Sequence, residues 1–418
     1  MIDRIRNNAF ARNSLILFAG SMVANVISYV FHLIVGRMVS VEVYGSAQSL
    51  NSLMSIIMVP GMTIAMVATK FSAHSRAEDN KRETFEIFKY LSKKMAIYGL
   101  PVFLVIILLT PFIADFLNID QMIPLVLVWV MMFLSFFSSI ASGILTGWQK
   151  FEKASWAGIW GAVVKLISGV VLVKIGFELS GIIGSFFLAS LASYLVMLFA
   201  LKFVFAEKNQ PKEIHEEVFD FAPLKKFILP VFVGNLAMNI LGNADMVLAK
   251  HSLDSTIAGQ YGALNIVSKI IFFVMGVIPS VLFAMSSESH HKKGNTLGIL
   301  RNASLIMAFV SICSLVAYFI FPNLILRLLF GLKYDAVAPY LGYFAIVVVL
   351  FSFASLLLQY LLSIHKTRSA WAFLVISLGM VFVILLIGES LPVILAIAGV
   401  SQILAIIAGL YFLFKKHE

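Results

Sequence analysis

A chain of 418 residues that is 61% hydrophobic and only 12% charged cannot fold as an ordinary soluble domain, in which roughly 25% of residues carry charge. Its one cysteine, Cys313, excludes a disulfide framework and a cysteine metal site. The net charge of +10 is distributed in a way that speaks for membrane orientation rather than nucleic acid.

The apolar run from Ser14 to Gly36 follows a basic head containing Arg4, Arg6 and Arg12. It exceeds the 7–15 apolar residues of a signal peptide and reads as a retained first helix. Twelve apolar spans fit the chain: 14–37, 43–70, 88–114, 122–146, 154–175, 181–206, 226–250, 258–285, 301–326, 336–363, 370–388 and 391–414, each long enough for a bilayer-crossing helix. Most Lys and Arg fall at the two termini and in every second connection, while the alternate connections hold only Arg37, Lys174, Lys250, Arg327 and Lys333. Positive charge accumulates on the cytoplasmic side, so both termini and the 207–225 segment are expected there. The fold class that follows is an all-α polytopic membrane protein with 12 transmembrane helices.

The two halves of the chain resemble each other. His32 precedes Arg37 as Asp245 precedes Lys250, and Tyr44-Gly45 matches Tyr261-Gly262. Pro60 matches Pro279, and Lys150 to Trp156 matches Lys366 to Trp371. The offsets of 213, 217, 219 and 216 residues are almost constant, and an even number of spans separates the partners. This is the pattern of a parallel repeat. It divides the chain into an N-terminal six-helix lobe at 1–206, a cytoplasmic linker at 207–225 and a C-terminal six-helix lobe at 226–418, two pseudo-symmetric lobes around a central cavity. Pro60, Pro101, Pro230 and Pro279 lie inside spans and remove backbone hydrogen bonds there, with Pro60 and Pro279 the repeat-related candidates for hinges.

Ionisable groups within spans mark function, because a charge at the bilayer centre costs about 2.5–3.5 kcal/mol on insertion scales. The candidates are His32 and Arg37 in the first span, Lys165 in the fifth, Asp245 in the seventh and Lys269 in the eighth. Asn235, Asn239 and Asn243 recur every fourth residue and so form one polar stripe, and Asn265 and Lys269 share a face in the same way. Gly158, Ala162, Lys165 and Gly169 put the lysine beside small residues, which permit either close helix packing or room for a ligand. Asp245 and Lys269 lie on antiparallel neighbours, within reach of an ion pair. Two readings of Asp245 therefore stay open: a partner that neutralises Lys269, or a carboxylate that couples an ion. A cavity holding His32, Arg37, Lys165, Asn235, Asn239, Asn265 and Lys269 is mainly cationic and suits an anion such as pyrophosphate. No catalytic motif, nucleotide-binding loop or metal cluster is placed where it could work, so neither enzymatic activity nor a cofactor is expected.

These residues resemble a known family. Asn243 to Lys250, then Ala258 to Gly262 and Lys269, are similar to the seventh and eighth helices of polysaccharide flippases. The same holds for Arg12-Asn13-Ser14, for Gly36-Arg37 with Val43-Tyr44-Gly45, and for the turn Gly147 to Phe151. The chain resembles the Wzx-type O-antigen and polysaccharide flippases of the multidrug/oligosaccharidyl-lipid/polysaccharide exporter superfamily over essentially its full length. The resemblance implies a V-shaped pair of six-helix lobes in the cytoplasmic membrane. Its substrate would be a polyprenyl-pyrophosphate-linked glycan, moved from the cytoplasmic to the outer leaflet by alternating access with ion coupling. Its partners would be the lipid bilayer and the polysaccharide polymerase and assembly proteins, with no nucleic acid. A drug or metabolite antiporter of the same fold is the alternative, although the first span offers His32 where the drug exporters carry a carboxylate. A membrane glycosyltransferase, polymerase or ligase would need a long outer catalytic loop, which the short outer connections do not provide.

Overall fold

The computed structural model describes residues 9–206, 222–275, 278, 279, 282, 286 and 296–415, with side chains described from residue 19 in the first stretch and from residue 228 in the second. Most of the expected linker at 207–225, and most of the final stretch of the eighth expected span, lie outside the described residues. The described chain is helical: α1 Ala9–Met38, α2 Val41–Ile57, α3 Val59–Ala77, α4 Lys81–Leu108, α5 Thr110–Phe116, α6 Met122–Gly147, α7 Phe151–Lys174, α8 Glu178–Ala200, α9 Lys202–Phe205, α10 Ala222–Ser252, α11 Ser255–Met275, α12 Thr296–Ile320, α13 Pro322–Phe330, α14 Leu341–Ser363, α15 Arg368–Ile387 and α16 Leu391–Phe414. A 3-10 segment, Leu332–Tyr340, leads into α14. Among the described residues eleven helices are long and apolar enough to cross a membrane, twelve if the bent pair α2–α3 is counted as one span. The protein is thus the all-α, multi-pass membrane protein that the apolar pattern dictates.

The bend within the second span is 41° and falls at a one-residue break, Met58. Pro60 sits two residues beyond it, in the first turn of α3, where a helix has no use for the missing N–H. Pro101 and Pro230 instead continue within α4 and α10. In each half a short helix with proline in its first turn, α5 with Pro111 and α13 with Pro322, joins the third long helix to the fourth. That correspondence extends the internal repeat to an element too short to register as a span.

The chain forms two compact units. One comprises Met1–Val39 with Pro60–Phe219, the other Ser40–Val59 with Asp220–Glu418. In the first, α7 packs along α1 and α8, and α6 lies between α8 and α4. Glycines let α3 approach α6: a Cβ on Gly147 would stand 2.7 Å from the Thr69 carbonyl oxygen. Two indoles fasten this unit, with Trp129 Nε1 donating to Thr110 Oγ1 at 3.0 Å and Trp148 Nε1 to Thr84 Oγ1 at 2.9 Å. In the second unit α10 packs on α15 and α2, and α11 lies between α2 and α14, which in turn meets α16.

The sequence repeat assigns residues 40–59 to the N-terminal lobe, whereas their contacts are with the second unit. The cause is a seam of small residues. Gly45 meets Gly259 backbone to backbone, Gly262 meets the Gln48 side chain, and Thr256 Oγ1 donates to Glu42 Oε1 at 2.6 Å. Tyr44 stacks edge-on to Phe330 at 5.3 Å. Without side chains between them, two helices approach closely enough for extensive van der Waals contact, which drives association where lipid removes the hydrophobic effect.

The repeat-related lysines Lys150 and Lys366 each reach toward the end of the last long helix of their own half. Lys150 Nζ lies 4.3 Å from the ring centroid of Phe203, just past α8. Lys366 Nζ donates to the carbonyl oxygens of Phe412, Leu413 and Lys415 at 2.7–2.9 Å, groups that a helix C-terminus leaves without partners. Burial, the largest cause in both cases, lowers both ammonium pKa values from the ordinary lysine value.

Candidate functional site

The residues singled out by sequence gather into two polar clusters, one within each compact unit. In the first unit the periodicity of α7 brings Gly158, Ala162 and Lys165 to one face, and that face meets α1 and α8 across a cavity of about 220 Å³. Asn25 and Ser28 of α1 and Ser190 and Ser193 of α8 complete its polar lining, with Ser193 Oγ donating to the Ala157 carbonyl at 2.9 Å. Lys165 Nζ lies 4.6 Å from the ring centroid of Phe31 and 4.5 Å from that of Phe186. A desolvated ammonium gains about 2 kcal/mol from such an aromatic face. Among the described residues no carboxylate pairs with it, so its charge remains available to a ligand.

His32 is buried beside the same two rings, with centroids at 5.1 Å from Phe31 and 6.4 Å from Phe186. Gly169, one turn beyond Lys165, leaves the space that the Phe31 ring fills. Arg37 closes α1 with an exposed side chain and does not line this cavity. The sequence pattern located the lysine and its small-residue face, but not Phe31, Phe186, Asn25, Ser28 or Ser190. Aromatic residues and serines are common in apolar spans, and only the packing of three helices distinguishes these.

In the second unit α10 and α11 form an antiparallel hairpin, which brings Asp245 opposite Tyr261. The Tyr261 hydroxyl donates to Asp245 Oδ2 at 2.7 Å and the Asn265 amide approaches the same oxygen at 3.4 Å. Among the described residues Asp245 Oδ1 is buried without a hydrogen-bond partner. Lys269 Nζ donates to Asn243 Oδ1 at 3.0 Å, and among the described residues it forms no direct ion pair with Asp245. Asn239 and Asn243 turn their amide N–H groups back to the carbonyls of Asn235 and Asn239, at 2.9 and 3.0 Å. The asparagine stripe thus saturates itself along the helix and leaves the Asn243 oxygen to receive Lys269. Lys250, at the end of α10, is only 2% exposed and donates to Ser255 Oγ at 3.1 Å across the turn.

Chemically the two clusters differ in composition, the second alone combining a carboxylate with ammonium groups. The first offers a cation and neutral hydrogen-bonding groups beside open volume. The second offers a carboxylate with one satisfied and one bare oxygen, a state that a proton or small cation would complete. Among the described residues no group of three or more His, Cys, Asp or Glu side chains could hold a metal ion. Tyr261 as the partner of Asp245 was within reach of the sequence, since the two stand at similar distances on either side of the turn.

The fold has close relatives in shape and distant ones in sequence. The structure is similar to an inward-facing multidrug resistance MATE family transporter of the MOP superfamily, with a TM-score of 0.70 and 12% identity over 94% of this chain and 97% of that one. It is similar to the lipid II flippase MurJ in an inward closed conformation, with a TM-score of 0.68 and 16% identity over 96% and 87% of the two chains. It is also similar to a MOP superfamily transporter from Pyrococcus furiosus described by the reverse polarity of its binding pocket, with a TM-score of 0.62 and 13% identity over 96% and 93%. No curated protein sequence matches the chain. The profile of one family, described as polysaccharide biosynthesis protein, matches residues 10–290. The chain belongs to the polysaccharide biosynthesis protein family.

Proposed function

We propose that the protein is a flippase. It translocates polyprenyl-pyrophosphate-linked oligosaccharide units from the cytoplasmic to the outer leaflet by alternating access, for cell-surface polysaccharide biosynthesis. Family membership supplies the process. The observation that carries the reading is Lys165, an ammonium without a carboxylate partner among the described residues, set beside open volume within a bundle of membrane spans. A membrane charge is costly and persists where function requires it. A fixed cation attracts the pyrophosphate of a lipid-linked glycan and repels the organic cations that a drug antiporter would carry. Asp245 serves the other half of the cycle in this reading, taking up and releasing the coupling cation at its bare oxygen. His32 is a packing neighbour of the anion cavity, and Asn265 and Lys269 hold the acidic cluster in place.

The test is reconstitution in liposomes with a lipid-linked oligosaccharide whose sugars are read out by a membrane-impermeant glycosidase. The wild-type protein should make inner-leaflet glycan accessible, and an imposed proton or sodium gradient should change the rate. Lys165→Ala should slow the process by about tenfold or more, the equivalent of losing one charge-assisted contact, and Lys165→Arg should retain more activity. Gradient-driven uptake of organic cations with no glycan translocation would replace the flippase reading by the antiporter alternative.

A further inference from the structure

The cavity in the first unit has a shape and a lining that narrow its ligand further. It is an open-sided cleft of about 220 Å³, smaller than the roughly 300–1,000 Å³ of sites for drug-sized ligands, a size that suits one sugar ring with the rest of a glycan outside it. Its apolar walls are small residues, Ala24 of α1, Gly158, Gly161 and Ala162 of α7 and Ala189 of α8. Asn25, Ser28 and Ser190 offer an amide and two hydroxyls, groups able both to donate and to accept, as a ring of hydroxyls requires. The two large aromatic faces nearby are turned to the ammonium of Lys165. A neutral sugar would leave the cation without its counter-charge.

We infer that this cavity is a subsite for a single sugar ring bearing an oxyanion, with the oxyanion at Lys165 and the ring against Gly158 and the α1 and α8 polar groups. The inference rests on the flippase reading for the identity of the carried molecule. The oxyanion comes either from the pyrophosphate that joins the first sugar to its lipid or from an acid group on the sugar itself.

Gly158 provides the test. Among the described residues a Cβ built on it meets nothing within 4 Å, so a side chain placed there starts in open space beside the cavity, and replacing a helical glycine favours the helix. Saturation-transfer NMR on the purified full-length protein in lipid nanodiscs would use N-acetylglucosamine 1-phosphate, glucuronate and neutral N-acetylglucosamine as probes, with inorganic pyrophosphate as competitor. The charged sugars should bind at least about tenfold more tightly than the neutral one, and Lys165→Gln should remove that advantage. Gly158→Leu should abolish the ring signals while the thermal midpoint stays unchanged, and the milder Gly158→Ala should reduce them. Preference for the phosphorylated sugar assigns the oxyanion to the lipid linkage, and preference for glucuronate assigns it to an acidic sugar. Equal binding of the neutral sugar, or ring signals undiminished in Gly158→Leu, would overturn the subsite. So would pyrophosphate binding with no ring signal from either charged sugar. Because binding is read without transport, a protein that binds this way and translocates nothing refutes the flippase reading alone. One that translocates glycan at the wild-type rate with Gly158→Leu refutes the subsite alone.

Discussion

At Asp245 a single hydroxyl separates a stable arrangement from a costly one. Tyr261 and Asn265 both address Oδ2, while Oδ1 is buried without a hydrogen-bond partner among the described residues. Leaving a buried acceptor bare is unfavourable by about 1–3 kcal/mol, a standing incentive for a proton or cation to bind. Asp245→Asn should insert normally and lose the response of transport to an imposed ion gradient. Adding Lys269→Gln should bring little recovery, because Lys269 is bonded to Asn243. Proteoliposome flux in both variants measures this, and full recovery by the double variant would reassign Asp245 to charge balance. The charges at 165, 245 and 269 were legible in the sequence because the other charges in their apolar runs, Lys174, Lys226 and Lys250, stand at the ends of those runs. What was not legible is which partner each takes. Register alone put Asp245 and Lys269 within reach of each other, and the decision fell to the side-chain oxygen of Asn243, which sequence spacing does not orient.

The helix α2 shows what the pattern of an element does and does not reveal. Its glycine and serine face, including Gly45, Ser46, Ser49 and Ser52, is buried, and its closest approach is to Gly259 on α11. Gly259→Val would force side-chain atoms into the Val41 backbone. Overpacking of this kind costs about 1–3 kcal/mol, so the thermal midpoint of the purified protein should fall, whereas Gly158→Ala, which meets open space, should not lower it. The existence of the second span and its proline were readable from composition. The break at Met58 was not, because Pro60 is compatible both with a kinked continuous helix and with the first turn of a new one. The short helices α5 and α13 escaped for a different reason: seven and nine residues are too few for a period to stand out.

For the whole molecule, the alternation of positive charge predicts an orientation, with both termini and the 207–225 segment on the cytoplasmic side. A cysteine at position 215, placed in a Cys313→Ser background, should resist a membrane-impermeant thiol reagent in intact cells and react after permeabilisation. Labelling before permeabilisation would invert the topology. The internal repeat was visible in four residue correspondences and gains structural support from the paired short helices and from Lys150 and Lys366, each anchored toward the end of its half. The division into lobes at 1–206 and 226–418 was expected from the sequence repeat and not from contact. A repeat records which segments match in sequence, while a compact unit records which segments touch, and the Gly45–Gly259 seam gives residues 40–59 a different answer to the second question.

That seam also sets a timetable. Glu42 and Thr256, joined across it, are 214 residues apart in the chain. At synthesis rates of 5–20 residues per second, α2 leaves the ribosome about 10–40 s before the helix it packs against. Throughout that interval its glycine-serine face lacks its native partner, and the hydroxyls of Ser46 and Ser55 can turn back to the carbonyls of Glu42 and Asn51, at 3.1 and 3.0 Å. Such self-contained bonds need nothing from the rest of the protein. They let an early helix with a polar face persist in lipid until its late partner arrives, and a chain interrupted before α11 would carry that face uncovered.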